Sequence, residues 1–195
     1  MKSFEEIIIA SNNQGKIAMI QSILDNYRVL PMSEAGVDID VEETGETFME
    51  NARLKAETIA SQLNGKACLA DDSGIEVEYL DGFPGVRTKR WFDGTDRERN
   101  LALIEKMQGV EKSKRKVKFK VSMALSDGEE TLTAESYIEG YVAEAPRGEN
   151  GFGFDEIFEL ENGKTLAELT FEQKNEVSAR RLALDDLLKK LKSSL

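Results

Sequence analysis

The apolar run Ile7-Ile8-Ile9-Ala10 passes directly into a polar stretch, Ser11-Asn12-Asn13-Gln14-Gly15-Lys16, and then into Ile17, Ile20, Ile23 and Leu24 at helical spacing. Strand, loop and helix in that order form the first half of an α/β unit. Val29-Leu30 predicts a second short strand. Thr47 with Glu50 three residues later fits a capping box, and Phe48, Ala52, Ala56, Ile59 and Leu63 form one helical stripe closed by Asn64-Gly65. Ala67 to Ala70 returns as a strand ending in Asp71-Asp72-Ser73-Gly74, and Asp96 is expected to cap a further helix. The period then changes. Val117, Phe119, Val121, Met123 and Leu125 alternate with Lys116, Lys118, Lys120, Ser122 and Ala124, which predicts a half-exposed strand. Asp127-Gly128 turns it into an antiparallel partner over Thr131–Ile138, and from Thr170 the pattern is helical to the end. The expected class is α/β, with a mixed twisted sheet and flanking helices in one domain over residues 1–195.

Composition removes whole classes of chemistry. With 195 residues and 40 % hydrophobic content the chain can bury a core. No apolar run approaches a membrane span, and Met1 to Glu6 lacks a signal-peptide pattern, so a cytoplasmic protein is expected. One cysteine, Cys68, excludes an internal disulfide, and the absence of histidine excludes imidazole bases and His-ligated zinc. Catalysis must therefore rest on carboxylates, Lys, Arg, Tyr or a hard metal ion. A net charge of −11 speaks against duplex DNA as a partner. The basic stretch Lys112 to Lys120 reads as a solvated strand edge protected by Lys.

Several segments carry chemistry-bearing residues. Ser11 to Lys16 leaves a strand and opens a helix, so its backbone N–H groups, Gly15 and Lys16 suit a phosphate; an ordinary βα turn is the alternative. Asp71-Asp72-Ser73-Gly74 stands at the predicted carboxyl end of a strand, where a carboxylate could hold Mg²⁺ or activate water, or simply form an Asx-turn. Glu42-Glu43-Thr44-Gly45-Glu46 precedes a helix, where acidic groups are favoured by the dipole alone, unless Asp72 completes a metal pair. Gly151-Phe152-Gly153-Phe154-Asp155 forms a shaped loop, either a base-stacking surface with Asp155 reading a base N–H or a turn with core aromatics. Lys174, Ser178 and Arg180 could serve one site only if the helix breaks between them. Trp91 is either a ligand shelf or a half-buried packing residue, and Cys68 is expected to be inert.

Taken in order, Ser11–Lys16, Glu42–Phe48, Glu50-Asn51-Ala52 with Lys55-Ala56, Ala70–Gly74, Gly82–Val86, Gly151–Asp155 and Lys174–Arg180 resemble the Ham1-like inosine triphosphate pyrophosphatase family over almost the whole chain. The resemblance implies a two-lobed mixed α/β fold with its site between the lobes, usually a homodimer. It implies Mg²⁺-dependent hydrolysis of inosine, deoxyinosine and xanthosine triphosphates to the monophosphate and pyrophosphate, with no nucleic-acid or membrane partner. Carried over position by position, Ser11, Asn12, Asn13, Gln14, Gly15 and Lys16 would hold the triphosphate, with Lys16 also catalytic. Glu42 and Asp72 would hold the metal, and Asp72 would accept the proton of the attacking water. Ser73 would contact substrate, Phe152 would stack on the base, and Gly153, Phe154 and Asp155 would shape that pocket. Lys174, Ala179 and Arg180 would close over the nucleotide, with Arg180 near the 6-oxo edge. The chain departs from the family pattern at Ala179, where His is usual, and at Phe154 and Glu156, where Tyr and Pro are usual. The rival expectation is a nucleotide-binding protein whose hydrolysis is weak or unselective because of Ala179.

Overall fold

The computed structural model describes residues 5–194; the signal-peptide reading at Met1 to Phe4 lies outside them. The chain forms β1 (Glu6–Ile9), α1 (Gln14–Ile23), β2 (Arg28–Pro31), α2 (Phe48–Ala60), β3 (Ala67–Val77), β4 (Phe83–Pro84), α3 (Asp96–Lys106), β5 (Lys116–Ser126), β6 (Thr131–Val142), β7 (Phe158–Glu159), α4 (Phe171–Glu176) and α5 (Ala179–Ser194). The strands run in the order β2-β1-β3-β5-β6-β7, with β4 on β3. β1 is parallel to both β2 and β3, whereas β4 and β7 pair antiparallel to β3 and β6. The mixed α/β sheet expected from the two hydrophobic periods is therefore present.

The chain divides into two compact units. Residues 1–73, 121–136 and 180–195 make the first, in which Ile8, Met32, Val37, Ile59, Leu63 and Cys68 form a core under α2. Beside it, Ala52, Ala56, Ala70 and Ala124 pack as a patch of small side chains, which lets backbones approach closely. Residues 74–120 and 137–179 make the second unit, with Ile75, Val77, Leu103, Met107, Val142, Ile157 and Phe158 at its centre.

Five sequence expectations change. Gln14, Gly15 and Lys16 are the first turn of α1 rather than loop, because the Asn13 side chain caps the helix by accepting from the Lys16 amide at 3.1 Å. β3 does not stop at Ala70 but runs to Val77, so Asp71 and Asp72 stand mid-strand rather than at a carboxyl end. β5 is no edge, since it lies between β3 and β6, and from Val121 onward it is buried on both faces. Its lysines are balanced instead, Lys118 by Glu139 at 3.5 Å and Lys120 by Glu76 at 2.8 Å. Thr95, not Asp96, caps α3 through a capping box with Glu98. The C-terminal helix is broken at Val177-Ser178 into α4 and α5.

Candidate active site

Successive strand residues point to opposite faces, and β3 uses this to give its two adjacent carboxylates different surroundings. The Asp71 side chain, 2 % exposed, receives Lys16 Nζ at 3.0 and 2.9 Å on its two oxygens. Arg180 donates to the same carboxylate through Nε at 3.3 Å and Nη2 at 3.1 Å, and its Nη2 also reaches Ser73 Oγ at 3.3 Å. Burial would push the Asp71 carboxyl up, but Lys16 and Arg180, with Lys55 behind them, hold it far below the usual carboxylate range.

Asp72 has the opposite character. Burial pushes its carboxyl above the ordinary value, with the negative charges of Glu43 and Asp71 adding to the effect and Lys55 and Asn51 opposing it. Asn51 is fully buried on α2; its Nδ2 donates to Asp72 Oδ2 at 3.0 Å while its Oδ1 accepts from the Gly45 amide at 2.8 Å. A Cβ on residue 45 would stand 2.7 Å from that same Oδ1, so only glycine admits the contact. The Ser73 amide donates to Asp72 Oδ1 at 3.0 Å. Lys55, one turn along α2 from Asn51, donates to Glu43 at 2.8 Å and to the Asp71 carbonyl at 2.6 Å, and lies 3.9 Å from Asp72. Burial lowers the Lys55 ammonium, but Asp71, Asp72 and Glu43 together raise it above its ordinary value, so it is charged.

The first unit thus brings together Lys16, Ser73, Asp72 and Arg180 of the residues singled out in the sequence. It also holds Glu43, named in the sequence together with Glu42, and it adds Lys55 and Asn51, which motif chemistry alone did not single out. Burial alternates along residues 41–44: Glu43 is half-buried against Lys55 and Glu42 is exposed, so Glu43 is the acidic neighbour of Asp72. The signal for Lys55 was its spacing from Asn51 on one face of the capped helix. Ser11 and Asn13 spend side-chain oxygens on local backbone bonds, while Asn12 and Gln14 are exposed and Gly15 half-buried. Among the described residues no cluster of three Asp, Glu, His or Cys side chains converges as a metal cage.

In the second unit, Gly151 to Glu156 forms a tight loop against a cavity of about 480 Å³ lined in part by Phe152, Gly153, Asp155 and Glu156. Asp155 is buried and its Oδ2 accepts from the Phe152 amide at 3.0 Å and from Lys174 Nζ. Lys174 also sits 5.0 Å over the Phe152 ring, a cation–π contact that fixes the ring's pose. A side chain on Gly151 would collide with both Asp155 and Lys174. That carboxylate oxygen is therefore committed to the loop's own backbone rather than to a base edge. Phe154 packs on the core of this unit, Ala179 is completely buried, and Trp91 packs against Phe83 at 5.0 Å between ring centroids. Lys174 and Arg180 are tied to different carboxylates, Asp155 and Asp71, on either side of the helix break.

The sequence profile of the Ham1 family matches residues 7–190. The chain belongs to the Ham1 family. A dITP/XTP pyrophosphatase of Bacillus subtilis is 43 % identical over 195 residues, covering 97 % of this chain and 98 % of the relative. One of Clostridium perfringens is 42 % identical over the full length of both. Among solved structures, the Ham1 protein of Staphylococcus aureus superposes with a TM-score of 0.85 at 41 % identity, covering 97 % of this chain and 100 % of that one. A HAM1 protein of Coxiella burnetii gives 0.86 at 37 % identity, over 97 % and 100 %.

Proposed function

We propose that this chain hydrolyses inosine, deoxyinosine and xanthosine triphosphates to the monophosphate and pyrophosphate, clearing deaminated purines from the nucleotide pool. The observation that carries the reading is the buried cluster in which Lys16, Lys55 and Arg180 face Glu43, Asp71 and Asp72. It stands in a chain 43 % identical to a dITP/XTP pyrophosphatase. Triphosphate hydrolysis is mostly positioning and charge stabilisation, so such a cluster supports it without histidine.

The residues have distinct roles in this reading. Asp71 fixes Lys16 and Arg180, so the cations are oriented before substrate arrives. Asp72, whose carboxyl is raised by burial, accepts the proton of the attacking water as the bond between the monophosphate and the leaving pyrophosphate breaks. The donor set also fits Mg²⁺, which takes one or two carboxylates and completes its shell with water and phosphate oxygens. Asp72 with Glu43 offers two hard oxygen donors, in place of the Glu42–Asp72 pair the resemblance implied. Bound there, the ion would supply Lewis-acid stabilisation of the phosphoryl oxygens. Phe152, held under Lys174, would take the purine face. A 6-oxo purine presents an acceptor where adenine presents a donor, so donors at that edge reject ATP by leaving groups unpaired. We also infer a cytoplasmic homodimer; among the described residues no helix is long and apolar enough to cross a membrane.

The rival reading, weak or unselective hydrolysis caused by Ala179, has no observation that favours it over this one. The test is a panel of inosine, xanthosine, adenosine and guanosine triphosphates, with Mg²⁺ and with chelator. Metal-dependent release of pyrophosphate confined largely to the first two supports the reading. Equal release from all four removes the selectivity, and release unaffected by chelator removes the metal.

A further inference from the structure

We propose that α3 is a clamp on the base loop: Asp96 and Asn100 hold the Gly153 backbone from both sides, Glu156 locks the loop to the same helix, and this positioning sets how tightly the loop's aromatic ring holds the purine. The inference rests on the nucleotide reading above and names residues that reading does not use. Asp96 and Asn100 are four apart and so share one face of α3. Asp96 Oδ2 accepts from the Gly153 amide at 3.0 Å, and Asn100 Nδ2 donates to the Gly153 carbonyl at 2.8 Å. Gly153 lies at φ +64°, a left-handed conformation, with both of its backbone polar groups taken by one helix. Because Thr95 caps α3, Asp96 is not needed as the cap; its Oδ1 pairs with Arg99 on the same helix at 2.6 Å and its Oδ2 reaches across to the loop.

Glu156 completes the arrangement. Its Oε1 accepts from the same Asn100 Nδ2 at 2.9 Å and its Oε2 pairs with Arg97 at 2.8 Å. Its side chain thus ties the loop to α3 at two points. The two ties differ in weight. Arg97 is 64 % exposed, so its ion pair is screened and contributes little. Asn100 is 1 % exposed, so its hydrogen bonds are made away from water. Both neighbours of its amide nitrogen are acceptors, while its Oδ1 is buried with no hydrogen-bond partner, so the residue acts here as a donor. The held peptide directly follows Phe152, whose own amide is fixed by Asp155. Loosening α3 from the loop therefore removes one restraint on the ring that would meet the base, beside those of Lys174 and Asp155, without touching Lys16, Asp71 or Asp72. Asp96, Asn100 and Glu156 are positioning residues, acting through Phe152.

The test compares the wild-type chain with Asp96→Ala, Glu156→Ala and Glu156→Gln. It reads kcat and KM for inosine, guanosine and adenosine triphosphates, with melting temperature measured alongside. The clamp predicts that both alanine variants raise KM for inosine triphosphate by about tenfold or more, with kcat within about twofold of wild type. Glu156→Gln keeps the acceptor for Asn100 and should return KM to near the wild-type value. KM values within about twofold of wild type in the alanine variants, whatever their melting temperatures, overturn the clamp. So does a Gln variant no better than Ala. A wild-type chain that releases pyrophosphate from none of these substrates removes the parent reading, and this inference with it.

Discussion

Asp71 and Asp72 are adjacent in sequence and chemically similar, yet the structure predicts opposite consequences for the same substitution. In Asp71→Asn, Lys16 and Arg180 lose the carboxylate that neutralises them, and their side chains are only 8 % and 3 % exposed. Removing one partner of a buried ion pair costs about 3–5 kcal/mol, because the remaining charge stays buried without its neutralising carboxylate. At roughly 2–4 °C per kcal/mol for a chain of this size, the melting temperature should fall by about 6–20 °C. Asp72→Asn is different. Its nearest cation is 3.9 Å away, and burial already disfavours its ionised form in the folded chain. Neutralising it should cost less than about 1 kcal/mol of stability or even add some, while turnover falls by about a hundredfold or more with the loss of the proton acceptor. The assay is thermal or urea unfolding of both variants beside pyrophosphate release from inosine triphosphate. The argument is refuted if Asp72→Asn melts as early as Asp71→Asn, or if Asp71→Asn melts with the wild type.

Other parts of the chain give further tests. Lys55→Met keeps the length of the side chain but leaves Glu43 and Asp72 without their shared cation; kcat should fall by at least about tenfold, and an unchanged kcat would remove Lys55 from the site. Burial pushes the Cys68 thiol from 9.0 to about 12. The folded state therefore holds its proton longer than the unfolded one, and stability should decline as pH rises from about 9 towards 12. Alkylation at pH 8 should proceed only through unfolding, and native labelling at the rate of the unfolded chain would contradict the burial. Thr95→Ala removes the capping box of α3 and should cost about 1 kcal/mol in urea unfolding; an unchanged midpoint would mean Glu98 alone sustains the cap.

The contrast between the two aspartates also shows where sequence reasoning ran out. The elements were legible because their periods differ: the Ile run of β1, the capped stripe of α2 and the alternation of β5 are local signals. The continuation of β3 through Asp71-Asp72-Ser73-Gly74 was not. Its polar residues look like a turn until Lys16, Lys55, Asn51 and Arg180 supply the partners that let a strand carry two buried carboxylates. The same long-range pairing explains why Glu43 rather than Glu42 faces Lys55, since a motif names both residues and only burial separates them. Lys174 and Arg180 looked like a single closing group, but the break at Val177-Ser178 and their separate carboxylates assign them to different neighbours. Thr95 and Asp96 both have cap chemistry, so the sequence alone does not separate them. Which of the two does the capping determines which is available to hold Gly153.

The most direct measurement is the phosphorus product released from inosine triphosphate by the wild-type chain, resolved into pyrophosphate and orthophosphate. Inosine monophosphate and pyrophosphate in equal amounts, with no inosine diphosphate, is the predicted result. Inosine diphosphate with orthophosphate, or bound nucleotide with no product, would contradict the pyrophosphatase assignment.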